Sequence, residues 1–87
     1  MKVTMVKKRL SSGEECRKCA EATEFLKSKG VFDNIDDVVW YDENDPESQG
    51  AVLARTFDME RAPFFVVERA GRDPEAVDSV MRAYRML

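Results

Sequence analysis

Histidine is absent from this chain, and cysteine occurs only twice, at Cys16 and Cys19. The commonest general base near neutral pH and the commonest metal ligand are therefore missing. Two sulfurs make only half of a tetrahedral zinc set, so a metal would have to be shared between two chains. No metal and no other cofactor is expected. Glycine and proline are sparse, 4 and 3 residues, which argues against a low-complexity or disordered chain. No apolar run approaches the roughly 20 residues that span a bilayer, so a membrane is not expected as a partner. The opening Met1–Val6 stretch is cut short by Lys7-Lys8-Arg9. A signal peptide needs a longer apolar core, so the expectation is a cytoplasmic chain in a reducing compartment. There, an isolated cysteine pair is reactive or metal-binding more often than structural. The net charge is only −3, with no basic face fit to neutralise a run of phosphates, so nucleic acid is excluded as a partner.

What is present fits one globular domain over residues 1–87, expected to be a monomer. Hydrophobic residues make up 44 % and charged residues 36 %, enough apolar material for one core. Residues 2–10 are rich in β-branched and apolar types, which suits a strand. Ser11-Ser12-Gly13 reads as a loop. From Cys16 to Lys29, Cys19, Ala22, Phe25 and Leu26 share one helical face. Gly30 suits the helix end, with Lys27 and Lys29 near the negative pole. Residues 37–42 show little alternation and predict a strand buried on both faces. Asp45-Pro46-Glu47 predicts a helix start, with Ala51, Leu53, Ala54 and Phe57 as its apolar stripe and Gly50 as a slight weakness. Phe64–Val67 predicts a third strand, introduced by Pro63.

The C-terminal segment has two readings. Asp73-Pro74-Glu75 resembles another helix start, with Ala76, Val77, Val80, Met81, Tyr84 and Leu87 on one face. Alternatively, residues 69–73 turn, Glu75–Asp78 form a short edge strand, and the helix begins near Ser79. The second reading is preferred, because it covers an otherwise open sheet edge. The order is then β-α-β-α-β-β-α, an α/β sandwich whose first strands run parallel.

Cys16-Arg17-Lys18-Cys19 follows a strand and opens a helix. Two intervening residues let the sulfurs meet on the first helical turn and cycle between dithiol and disulfide. The helix N-terminus and the cations Arg17 and Lys18 favour a thiolate at Cys16. Glu14 and Glu15 oppose this but are free to turn to solvent. Cys19, one turn inside, is expected to be more buried, so Cys16 attacks and Cys19 resolves. Pro63 is expected to follow a cis bond that holds the Ala62 backbone open beside Cys16. An extended substrate could pair there as an added strand. Trp40 and Tyr41 read as core and half-exposed strand residues, not a binding platform. Lys7, Lys8 and Arg9 read as a solvated strand end. Asp33, Asp36 and Asp37 read as loop residues, since they lack a calcium-loop pattern.

Over nearly its whole length the chain resembles the thioredoxin superfamily, most closely its short glutaredoxin-like branch. The residues that carry the likeness are the first strand, the Cys16-x-x-Cys19 helix, the Trp40 strand, the second helix, Pro63 and the final helix. The resemblance implies a thioredoxin-like three-layer sandwich with a mixed four-stranded sheet. It also implies reduction of protein or small-molecule disulfides through a mixed disulfide, with Cys16 and Cys19 as catalytic residues. Ala62, Pro63, Arg17 and Lys18 are then the candidate substrate-binding residues. Electrons would come from a thioredoxin-reductase-type donor or from glutathione. Arg17-Lys18 stand where glutaredoxins commonly carry proline and an aromatic, and Arg61-Ala62-Pro63 replaces their Thr-Val-Pro. Gly71, Asp78 and Ser79 are poor substitutes for the segment that helps hold glutathione. The alternatives are a redox sensor without turnover, or a carrier of persulfide sulfur on Cys16.

Overall fold

Apolar residues at alternate positions of the first strand decide which face of the sheet each helix covers. In the computed structural model, which describes residues 1–87, β1 spans Lys2–Arg9 and α1 spans Arg17–Ser28. A 3-10 turn at Phe32–Asn34 leads to β2, Asp37–Asp42, and then to α2, Gln49–Thr56. β3 (Phe64–Glu68), β4 (Glu75–Val77) and α3 (Val80–Met86) complete the chain. The sheet order is β2-β1-β3-β4. β1 and β2 are parallel, whereas β1–β3 and β3–β4 are antiparallel. No helix is long and apolar enough to cross a membrane.

Val3, Met5, Phe65, Val67 and Val77 face Ala22 and Leu26 of α1 and Ala83 of α3. Phe25 and Tyr84 meet edge to face across this layer, ring centroids 5.5 Å apart. On the other face, Val6, Phe64 and Val66 pack against Ala54 of α2. Helices thus cover both faces of a mixed four-stranded sheet. Each large side chain removed from water here, such as Leu26 or Phe65 at 0 % exposure, contributes roughly 1.5–3 kcal/mol.

The helix α1 ends as expected. Gly30 takes φ 72°, and the Gly30 and Val31 N–H groups return to the Lys27 and Leu26 carbonyls, the pattern of a Schellman cap. The C-terminal segment follows the second of its two readings. β4 pairs with β3 and buries Val77, and the Ser79 hydroxyl caps α3 by accepting from the Arg82 N–H at 3.2 Å.

Two expectations need correction. β2 is an edge strand, and its residues are half-buried or exposed. Its apolar run is covered by long cationic side chains instead of by a second neighbouring strand. Arg9 and Lys7 lie over the Trp40 ring and Lys8 lies over Tyr41, shielding apolar surface with their stems. α2 also starts later than Asp45-Pro46 suggests. The Asp45 carboxylate accepts from the Glu47 N–H at 2.9 Å, which closes a turn instead of capping a helix. Ser48 then occupies the N-cap position, with its hydroxyl accepting from the Asp42 N–H at 3.1 Å.

Gly50 is more than a weak spot in α2. A β-carbon there would lie 2.6 Å from the Trp40 carbonyl oxygen and closer still to the Tyr41 backbone nitrogen. Helix propensity alone favours alanine by about 0.8–1.0 kcal/mol. Backbone overlap wins, because neither β2 nor α2 can move without disturbing the other. Gly50→Ala should therefore destabilise the protein by about 1–3 kcal/mol, read as a lower urea midpoint. A raised midpoint would show that α2 is not seated on β2 in this way.

Candidate functional site

The two cysteines are held by one residue of β1. The Cys16 N–H donates to the Lys8 carbonyl at 2.8 Å, and the Lys8 N–H donates to the Cys19 sulfur at 3.2 Å. The loop between strand and helix makes this possible. Gly13 turns the chain with φ 93°, and Glu15 forms an isolated bridge to Arg9. Cys16 is the N-cap residue of α1, its carbonyl accepting from the Ala20 N–H at 3.0 Å, and its sulfur makes no capping hydrogen bond. That sulfur is left available for chemistry.

The thiols are free and differ in exposure. Cys16 is half-buried, and Cys19 is at 0 % exposure. Burial pushes the Cys19 thiol up from 9.0 to about 11; the Lys8 N–H opposes this, while Cys16 and then Glu15 add to it.

Cys16 opens onto a groove of about 790 Å³ that Lys18, Ala62, Pro63, Ser79 and Val80 also line. The Ala62–Pro63 bond is cis. Strand register explains why this segment meets the cysteines. Val6 of β1 pairs with Phe64 of β3, antiparallel, so the residues entering β3 lie beside those leaving β1. Four of the six expected site residues, Cys16, Lys18, Ala62 and Pro63, therefore share one groove. Cys19 lies behind it. Arg17 does not line it: it is exposed and pairs at 3.1 Å with Glu21, which does line the groove. No group of three or more His, Cys, Asp or Glu side chains is placed to hold a metal ion.

Lys7 and Glu15 depart from the sequence reading. Lys7 is 8 % exposed, not a solvated strand end, and its ammonium lies 2.9 Å from the Glu15 carboxylate. It also lies 4.9 Å from the centre of the Trp40 ring. Glu15 turns inward to this cation instead of out to solvent. The carboxylate oxygen that meets it, Oε2, is itself buried. The signal for an inward Lys7 was the strand period itself. Val3, Met5 and Lys7 are alternate residues and share a face.

The raised Cys19 value has a consequence for pH. A thiol that holds its proton more tightly when folded contributes stability that is fully present below the unfolded value, 9.0, and lost as the pH rises toward 11. Urea midpoints should fall over that window, and the fall should shrink in Cys19→Ala. Iodoacetamide should label Cys16 first, with Cys19 protected up to the start of the same window. Faster labelling of Cys19 at neutral pH would reverse the assignment of the exposed thiol. No protein-family model, curated protein or solved structure matches the chain.

Proposed function

We propose that the protein is a thiol–disulfide oxidoreductase with a thioredoxin-like fold, nearest the glutaredoxin-like branch. The observation that carries this reading is the pairing of a groove-facing Cys16 with a fully buried Cys19 one helical turn away. Structural cysteines have no need of such asymmetry. A two-step exchange does, because the first thiol must reach the substrate and the second must stay out of reach until needed. The mixed sheet with helices on both faces and the Ala62–Pro63 groove wall support the fold assignment.

In the first step the Cys16 sulfur, as thiolate, attacks one sulfur of the substrate disulfide. A bond forms between Cys16 and that sulfur, the substrate S–S bond breaks, and the departing thiolate takes a proton. In the second step Cys19 loses its proton and attacks the Cys16 sulfur. The Cys16–Cys19 disulfide forms and the second substrate thiolate leaves. Two electrons have passed from the pair to the substrate. A thioredoxin-reductase-type donor or a small thiol must then return them.

The groove suits an extended polypeptide. The half-buried Ala62 lies where added-strand hydrogen bonds can form beside Cys16. Lys18 lines the same groove from the helix side without an ion-pair partner within 4.0 Å.

Insulin, a disulfide-linked protein, provides the test. Cys19→Ser should accumulate a mixed disulfide at Cys16, seen by mass spectrometry, and turnover should drop to background. Cys16→Ser should form no adduct at Cys19. Turnover supported by glutathione and glutathione reductase should be poor beside turnover supported by a protein dithiol donor. If both cysteine variants reduce insulin at the parent rate, the pair is not the active site. A stable persulfide on Cys16 without disulfide turnover would favour the sulfur-carrier reading instead.

A further inference from the structure

One wall of the groove comes from a segment that holds none of the six expected site residues. After β1 the chain doubles back on itself. The Leu10 N–H donates to the Glu14 carbonyl at 2.7 Å, the Gly13 N–H donates to the Leu10 carbonyl at 2.8 Å, and Glu15 bridges to Arg9. The tip, Ser11-Ser12, is exposed. Leu10, just before it, is half-buried and lines the groove with Cys16. Leu10 and Val80 are the bulkiest apolar side chains there, beside Ala22, Ala62 and Pro63. The tip is gripped by the connection between β2 and α2. Glu43 Oε1 accepts from the Ser11 N–H at 2.8 Å, and Asn44 Nδ2 donates to the Ser11 carbonyl at 3.0 Å. Both backbone groups of one residue are thus taken. The grip is itself anchored. The Glu43 N–H donates to the Arg9 carbonyl at 3.0 Å, Glu43 Oε2 lies 3.3 Å from the Lys8 ammonium, and the Asn44 N–H donates to the Asp42 carboxylate at 2.9 Å.

Resting on the oxidoreductase reading, we infer that Leu10 is a binding wall for a polypeptide disulfide with an apolar side chain beside its cysteine, and that Glu43 and Asn44 are positioning residues that hold Leu10 in the groove. Leu10 touches the substrate. Glu43 and Asn44 act through Ser11, the residue that follows it. The substrate sulfur must reach Cys16, so a side chain next to the reacting cysteine is the one that meets Leu10.

Burial of apolar surface decides the preference. A half-buried leucine loses its remaining contact with water when an apolar group covers it, whereas a glycine in the same place covers nothing. The charged side chains of the groove discriminate less. Lys18, Glu21, Glu60 and Arg61 are all exposed, and water screens exposed charges. The grip on Ser11 has little to do with stability. Its hydrogen bonds are exposed, so water replaces them at small cost when they break. What they fix is position. Without them the turn that carries Leu10 is tied to the body only at its base, and it can swing out of the groove as a unit.

The test is a single turnover of the pre-reduced protein, which needs no electron donor. The Cys16 and Cys19 thiols are oxidised to a disulfide as the substrate disulfide is reduced to two thiols. The substrates are the disulfide-linked dimer of a short peptide with leucine beside cysteine, the dimer of its glycine counterpart, and bis(2-hydroxyethyl) disulfide. Acid quenching and mass spectrometry give the rate against substrate concentration. In the parent, the leucine peptide should half-saturate at a concentration about tenfold lower than the glycine peptide, the low end for an apolar contact in a pocket. Leu10→Ala should remove that preference, and Glu43→Ala with Asn44→Ala should remove most of it. Glu43→Gln should keep it, because the amide oxygen still accepts from the Ser11 N–H. All variants should reduce bis(2-hydroxyethyl) disulfide within about twofold of the parent rate, since it is too small to need the wall. Leu10 lies outside both core clusters, so Leu10→Ala carries the test should the double variant not fold. Retention of the preference in Leu10→Ala or in the folded double variant overturns the inference. So does a loss in Glu43→Gln as large as in the double variant, or an equal slowing with the small disulfide. If the reduced parent reduces none of the three disulfides, the oxidoreductase reading fails. If it reduces all three without preferring leucine, only the role of Leu10 and its grip fails.

Discussion

The backbone of Lys8 governs the geometry of the cysteine pair. Its carbonyl accepts from the Cys16 N–H and its N–H donates to the Cys19 sulfur. One residue of β1 therefore fixes both the position of the helix N-terminus and the direction of the inner thiol. A rigid strand is a better anchor for this than the loop of residues 10–15, since Lys8 is itself held by pairing with β2. The helix supplies the rest. Cys16 is the N-cap, with extended ψ outside the helical turn, whereas Cys19 sits inside the first turn on the buried face that also carries Ala22 and Leu26. The difference in exposure between the thiols follows from the helix, and the rise in the Cys19 value follows from that exposure.

Topology brings the opposite wall to the same place. β3 runs antiparallel to β1, so the residues entering β3 lie beside those leaving β1. The Ala62–Pro63 segment, some forty residues after the cysteines, meets them for that reason. Seating α2 matters to the same end of the sheet. Gly50 lets the helix approach the Trp40–Tyr41 backbone, and those two residues stand under the Lys7, Lys8 and Arg9 side chains. β2, at the edge of the sheet, is thus held by the close approach of α2 at Gly50 and by cationic side chains over its aromatic rings.

Element order and the position of the cysteine pair were legible in the sequence because each rested on a local signal. Gly30 marks a helix end through its positive φ, and Ser79 marks a start through its side chain. Two signals misled. Asp45-Pro46 looks like a helix cap, yet the Asp45 carboxylate closes a turn onto Glu47. The apolar run of β2 looks like a central strand, yet its cover comes from side chains on β1 that no local pattern announces. The Lys7–Glu15 pair escaped for a related reason. A lysine on the buried face of a strand looks like an error of alternation unless its partner is known. Glu15 comes from a loop eight residues on, beyond any helical or strand period. Arg17 shows the converse. Its place between the cysteines suggested a lining role in the groove, but helical spacing brings it to Glu21, so that Glu21 and not Arg17 lines the groove.

The buried pair and the inner thiol share an electrostatic constraint. The Lys7 side chain is 10 % exposed and its ammonium has the Glu15 carboxylate at 2.9 Å, a partner that offsets the desolvation a lone buried ion would suffer. Together they are neutral, and burying them costs far less than burying either alone. Cys19, also buried, stays neutral by keeping its proton.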